Sequence, residues 1–216
     1  MYQLPEPSKV AAFDVDAQKG FTPLCPDELP VPEGHLIVGE LNAQARFAAT
    51  RVFSKDAHPA NPSWLATPEH PTLSPIEGAN MDVRWTRHCV PGTAGFELLD
   101  GLPAVCEYDY PVYKGVEPDM HPYGACYHDL GDRVSTGVIE FLKARLVETV
   151  LLGGLATDYC VKTTALQLKR AGFDVVVNLG ACRGIAADTT EGAITSMKDA
   201  GIVIVESAVE LLQNLS

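Results

Sequence analysis

Asp16, Lys114 and Cys160 are residue types that together can break an amide. A thiol attacks a carbonyl as its thiolate, so it needs a base to take its proton. A carboxylate can do that and then protonate the departing amine, provided its surroundings raise its pKa. A nearby ammonium favours the thiolate and holds the carboxylate. A second set is Asp56, His58 and His88. Asp56 and His58 are two apart, so in extended backbone they project the same way. One carboxylate and two imidazoles make three metal ligands and leave positions for water or substrate. Each residue also has a plain structural reading. Cys160 can pack as a small apolar residue, Asp16 can cap a turn, Lys114 can be a solvated charge, and the histidines can be ordinary loop or core residues.

The elements that must position these residues follow from periodicity. The run 148–152 is short, apolar and bounded by glycine, which predicts a buried strand. From 158 to 171 the period becomes helical, with Val161, Ala165 and Leu168 on one face, Thr157 as N-cap and Gly172 as the stop. Cys160 then lies in a helix's first turn at a strand's C-terminal end. Free N–H groups and the helix dipole there favour a thiolate and can stabilise an oxyanion. Asp16 ends a strand over 10–16, Asp56 follows a strand over 51–54, and a strand over 104–108 leads to Lys114. Further strands are predicted at 174–179 and 202–205, and helices at 36–49, 135–145 (capped by Ser135), 188–200 and 208–213. The segment 180–184 reads as a strand-to-helix turn with a structural Arg183. The stretches 57–84 and 115–133 have no clear period; such long loops serve as walls or lids of sites. Alternating strands and helices predict an α/β fold, three layers α/β/α around a mostly parallel sheet. The C-terminal strand ends of such a sheet converge on one crevice.

The chain has 216 residues, enough for a single domain over 1–216. Its net charge is −12 with no basic cluster, which argues against nucleic acid and anionic membranes as partners. No apolar run reaches the length of a membrane span, and the first residues lack a signal-peptide pattern. A cytoplasmic protein is expected. The six cysteines form no Cys-x-x-Cys pair, so free thiols are expected, with Cys89 packed inside.

The segment Gly154-Leu155-Ala156-Thr157-Asp158-Tyr159-Cys160-Val161 resembles the nucleophile segment of nicotinamidases, within the isochorismatase-like cysteine hydrolases. The same family's marks are Asp16-Ala17-Gln18-Lys19-Gly20-Phe21, Lys55-Asp56-Ala57-His58-Pro59, Trp85-Thr86-Arg87-His88-Cys89-Val90 with Gly92-Thr93-Ala94-Gly95, and Tyr113-Lys114-Gly115. They come in the family's order across about residues 10 to 205. The resemblance implies the isochorismatase-like, Rossmann-like fold and a triad of Asp16, Lys114 and Cys160. It also implies a cis peptide at Leu155–Ala156 and an oxyanion hole from the Ala156 and Cys160 N–H groups. It makes Asp56, His58 and His88 ligands of one divalent metal ion (zinc, iron or manganese) that holds the pyridine nitrogen of the substrate. Phe21 and Trp85 match the family's aromatic walls, with Tyr123 as a further lining residue, and neither Glu69 nor His70 is expected to join the metal.

Some positions depart from the family pattern: Thr86 replaces a usual proline, Tyr123-Gly124-Ala125-Cys126 replaces Tyr-Ser-Ala-Phe, and Gly180 replaces an aspartate. These touch the outer lining, not the triad or the ligands. The implied activity is hydrolysis of nicotinamide, a small-molecule substrate, to nicotinate and ammonia through a Cys160 thioester, in NAD salvage; members of the family are often dimeric or larger, and the sequence leaves open whether this chain is a homo-oligomer. The rivals are another amide or carbamoyl hydrolase on the same scaffold, a non-haem metal oxygenase, and a binding protein without turnover.

Overall fold

The computed structural model describes residues 3–212. Six strands form one sheet: β1 (Val10–Val15), β2 (Thr50–Asp56), β3 (Tyr110–Lys114), β4 (Thr149–Leu155), β5 (Asp174–Arg183) and β6 (Val203–Val205). Their order is β3-β2-β1-β4-β5-β6, and every neighbouring pair is parallel. The order changes direction between β1 and β4, and in such sheets the crevice lies outside the carboxyl ends of the strands at that switch point.

Every residue of β1 and β4 is buried. Both faces of the sheet are covered, and the strands read as near-continuous apolar runs for that reason. Successive side chains go to opposite faces. Phe13, Val150 and Leu152 share a core with Val138 and Leu142 of α2 (Val138–Ala144), Ala165 and Leu168 of α3 (Lys162–Arg170) and Met197 of α4 (Ala187–Asp199). On the other face α1 (Val38–Ala45) contacts β1, β4 and β5, and Leu41 packs with Leu155 and Ala181. A last helix, α5 (Val209–Leu212), carries Leu211 into a third cluster with Val10 and Leu151; Gln213 of the predicted 208–213 helix lies outside the described residues.

The structure corrects several predicted elements. The run 104–108 is not a strand. Val105–Glu107 is a 3-10 turn whose Glu107 carboxylate accepts the Ala104 N–H at 2.7 Å, and β3 begins only at Tyr110. That run is exposed up to Glu107 and has no face to bury in a sheet. Helix α1 is shorter than 36–49, because Gly34–Ile37 forms a 3-10 turn before it. Strand β5 continues to Arg183 instead of turning at Gly180. Its register against β4 shifts between Leu152 and Gly154, so the glycine marks a bulge, with Asn178 Oδ1 accepting the Gly180 N–H at 3.1 Å. Thr157 does not cap a helix. Ala156 stands at the helix start, Thr157–Val161 forms a π turn, and the Tyr159 and Val161 N–H groups both donate to Ala156 O at 3.1 Å. Such turns recur at functional sites. Nor does Ser135 cap α2: the helix starts at Val138 with Gly137 as N-cap and no side-chain cap bond, and Ser135 Oγ accepts only the Gly137 N–H at 3.0 Å, one step ahead of the helix.

The two long loops are tied to each other. Ser63 N–H donates to Pro118 O at 2.8 Å, and His121 N–H donates to Asn80 O at 2.8 Å. Trp64 Nε1 donates to Met120 O at 3.0 Å, and the Tyr123 hydroxyl donates to Asp82 at 2.6 Å. Together they wall one side of the crevice. Among the described residues no helix is long and apolar enough to cross a membrane. All six cysteines are free, and Cys89 is buried.

Candidate active site

Asp16 follows β1 directly, with φ at +46°, a left-handed conformation uncommon outside glycine. The neighbouring β2 holds it there: Asp16 N–H donates to Ser54 O at 3.1 Å, and Ser54 Oγ donates to Asp16 Oδ1 at 2.6 Å. Asp16 Oδ2 lies 3.0 Å from Lys114 Nζ without hydrogen-bond geometry, so it is left open toward Cys160. Lys114 is the last residue of β3, in register with Asp56 of β2. Its ammonium is fully buried, donates to Asp56 Oδ1 and lies 3.7 Å from Cys160 Sγ. One carboxylate oxygen each of Asp16 and Asp56 and the Cys160 sulfur lie within 4.8 Å of one another. The three residues at the ends of β1, β3 and β4 therefore meet.

Burial and charge set their protonation. Burial, aided by the Asp56 charge, raises the Asp16 pKa against the pull of Lys114. Burial also pushes the Cys160 thiol well above its ordinary value, with Lys114 opposing. It outweighs the helix start and the lysine that were expected to favour a thiolate, so the sulfur rests as a thiol. For Lys114 burial acts toward the neutral amine, but Asp16, Asp56 and Cys160 outweigh it and keep it charged. Burial works against ionising Asp56 too, yet Lys114 and then His58 override it and hold this carboxyl below the usual range.

Asp56 opens onto the second cluster. Gln18 clamps its backbone on both sides: Nε2 donates to Asp56 O at 2.9 Å and Oε1 accepts Asp56 N–H at 2.8 Å. His58 Nδ1 is 3.0 Å from Gly115 O, and His88 Nδ1 is 2.6 Å from Thr86 O. A carbonyl only accepts, so both Nδ1 atoms donate to it and the Nε2 atoms are the ones left to face a metal. These lie 3.3 Å and 3.9 Å from Asp56 Oδ2. Burial and then His58 push the His88 pKa down to about 3. Two oriented imidazoles beside a carboxylate fit a divalent cation, and the Nδ1-to-carbonyl bonds are the outer support that metal-binding histidines need. His121, absent from the predicted set, stands against them with one nitrogen within 4.8 Å of those of His58 and His88.

Above Cys160 lies a small cavity, lined by Phe21, Trp85 and Tyr123 together with His88, His121 and Ala156. The three predicted lining residues are thus all in place. Asp56 and Cys160 also line it, and Asp16 and Lys114 lie next to these two. The peptide Leu155–Ala156 is cis, as expected, and Ala156 lines the cavity. Glu69 and His70 are exposed and take no part in the cluster. Sequence reasoning missed Ser54, Gln18 and His121. The only signal for the last was its place two residues before Tyr123 in the loop after β3.

A buried thiol, carboxylate and amine at the C-terminal edge of a parallel sheet define a protein of the α/β cysteine-hydrolase class. Comparison with known proteins narrows this. Residues 13–209 match the family described as Isochorismatase domain. The chain is 31% identical over 192 residues to the nicotinamidase of Acinetobacter baylyi, covering 85% of each chain. The structure resembles the Acinetobacter baumanii nicotinamidase–pyrazinamidase with a TM-score of 0.87 at 30% identity, covering 96% of this chain and 100% of that one. It also resembles the pyrazinamidase of Pyrococcus horikoshii, solved in complex with zinc, with a TM-score of 0.73 at 30% identity, covering 91% and 98%. The chain belongs to the isochorismatase family.

Proposed function

We propose that this protein is one isochorismatase-like hydrolase domain that converts nicotinamide and water to nicotinate and ammonia. The observation that carries the reading is the meeting of Asp16, Lys114 and Cys160 beside a small cavity with aromatic walls. The relatives named above, nicotinamidases and pyrazinamidases, support the same substrate class.

In this reading Asp16 Oδ2 takes the thiol proton while Cys160 Sγ attacks the amide carbon. The carbonyl electron pair moves onto oxygen, where the Ala156 and Cys160 N–H groups receive it. Asp16 then gives its proton to the amide nitrogen, the C–N bond breaks and ammonia leaves, so the acyl group stays on sulfur. A water loses its proton to Asp16 and attacks the thioester. The C–S bond breaks, nicotinic acid forms and the proton returns to sulfur; the acid then ionises to nicotinate, its proton taken up by ammonia in solution. The raised pKa of Asp16 suits a group that is base and acid in turn. Lys114 keeps its charge throughout and offsets the negative charge that develops beside it.

Asp56, His58 and His88 would hold a divalent cation, supported by their donor geometry and by the zinc complex of the Pyrococcus relative. Zinc, iron and manganese all suit such donors. Bound there, the ion would supply an anchor for a ring nitrogen, a positioning effect. Phe21 and Trp85 would flank the flat ring. Six free thiols fit a reducing compartment, the cytoplasm, and nicotinamide hydrolysis there would serve NAD salvage.

The test is ammonia release from nicotinamide together with intact-mass measurement after incubation with an aldehyde analogue. Turnover and an adduct on Cys160, both lost in Cys160→Ala, are expected. Ammonia release that survives Cys160→Ala would overturn the thioester route.

A further inference from the structure

His121 is 4% exposed, and neither of its ring nitrogens has a hydrogen-bond partner among the described residues. A buried imidazole with both nitrogens idle is rare, because each lost bond to water normally finds a replacement. One of these nitrogens lies within 4.8 Å of a nitrogen of His58 and of His88. His58 Nε2 is itself without a hydrogen-bond partner among the described residues. Two nitrogens bound to one ion at about 2.1 Å lie at most about 4.2 Å apart, so bringing these three imidazoles onto one ion asks each pair to close by about half an ångström.

The ring is held in plane by its neighbours. It stacks on His58 at 5.0 Å and 17° and on Trp85 at 5.7 Å and 12°, and Trp64 meets it edge-on at 4.5 Å. Its backbone is pinned where the two long loops join, by the bond to Asn80 O. Asp56 and His58 come from the end of β2, whereas His121 approaches from the loop after β3.

We propose that His121 is a fourth protein ligand of the metal held by Asp56, His58 and His88, closing a three-imidazole, one-carboxylate site. The proposal rests on the metal reading above but not on the choice of substrate. It deepens that reading in one direction. A third imidazole biases the site toward zinc, iron or cobalt and away from manganese and magnesium, which prefer oxygen donors. It leaves an octahedral ion two positions for water or substrate.

The test uses the full chain, stripped with a chelator and reloaded with cobalt(II) or zinc. X-ray absorption of the loaded wild-type protein should count three imidazoles at the ion, and two would overturn the proposal without any variant. His121→Phe keeps the ring stack and removes the ligand. It should bind zinc at least about tenfold more weakly in chelator competition and change the visible spectrum of bound cobalt. Unfolding temperatures of the two metal-free proteins should agree, which shows that the loss is not a folding defect. Unchanged zinc affinity and an unchanged cobalt spectrum in His121→Phe would overturn the fourth ligand and leave the three-residue site standing. A wild-type protein that takes up no ion would overturn both.

Discussion

Lys114 donates a hydrogen bond to Asp56 Oδ1 while its ammonium lies 3.0 Å from Asp16 Oδ2, so one buried cation joins the thiol site to the imidazole cluster. Asp56 therefore serves two sides, with Oδ1 on the lysine and Oδ2 facing His58 and His88.

Replacing Lys114 by methionine keeps the volume and leaves two buried carboxylates facing each other. Breaking a buried ion pair from one side costs about 3–5 kcal/mol. Lys114→Met should lower the unfolding midpoint markedly and reduce kcat by about two to four orders of magnitude. The sign with pH follows from the raised lysine pKa. Its contribution is fully present below 10.5, the ordinary lysine value, and is lost only as pH rises through the higher folded value. The stability gap between wild type and variant should therefore hold steady from neutral pH to about 9. Thermal melts across that range check it, and a gap that closes below pH 9 would contradict the assignment.

Asp16 sets the acid side of the activity profile. Its pKa is raised above the ordinary 3.8, so kcat/KM should fall on acidification with an inflection above that value. On the alkaline side the Cys160 thiol is pushed well above 9.0 and Lys114 well above 10.5, so neither should cause a decline below pH 9. Asp16→Asn should remove at least about two orders of magnitude from kcat and abolish the acid limb. An acid limb that persists in the variant at residual activity would assign it to another group.

Much of this was written in the sequence, for physical reasons. The central strands β1 and β4 are buried on both faces, so their apolar runs had no rival reading. Asp16, Asp56, Lys114 and Cys160 lie at or next to strand ends in a parallel sheet, so strand order alone brought them to one edge. His121 was illegible because its partners His58 and His88 are remote in the chain and its loop has no periodicity. Gly180 misled because a glycine in a bulged strand looks like one in a turn. The state of Cys160 was misjudged because the helix start is local and visible, whereas the burial that outweighs it comes from the whole fold.

Asp158, inside the nucleophile segment, does its work at a distance from the sulfur. Its buried carboxylate accepts from Ile185 N–H at 3.1 Å, Ala186 N–H at 3.3 Å and Thr189 Oγ at 2.6 Å. It thereby ties the π turn that carries Cys160 to the start of α4, and Ile185 lines the cavity. Asp158→Ala should cost more than about 4 kcal/mol, since three bonds to a charged acceptor, about 1.5–3 each, are lost and two N–H groups are orphaned. With the turn loosened, kcat should fall about tenfold or more. Asp158→Asn keeps one acceptor oxygen and should lose less of both. Equal losses in the two variants would show that the charge, not the acceptor geometry, matters.

Gly154 of β4 is in register with Val15 of β1, just before both chains deliver their functional residues. Its φ is +142°, and a Cβ there would lie 1.9 Å from Val15 O, a backbone atom that cannot swing aside. Gly154→Ala should therefore push the strands apart at the level of Asp16 and Ala156, cost more than about 4 kcal/mol and lower the midpoint by about 10 °C or more. Gly172→Ala is the control. Its φ is +96°, but nothing lies within 4 Å of the added carbon. That variant pays only for the left-handed backbone, about 1–2 kcal/mol, and should keep wild-type kcat. Paired melts and activity assays of the two variants separate close packing from conformation, and similar behaviour of both would remove Gly154 from any role in aligning the site.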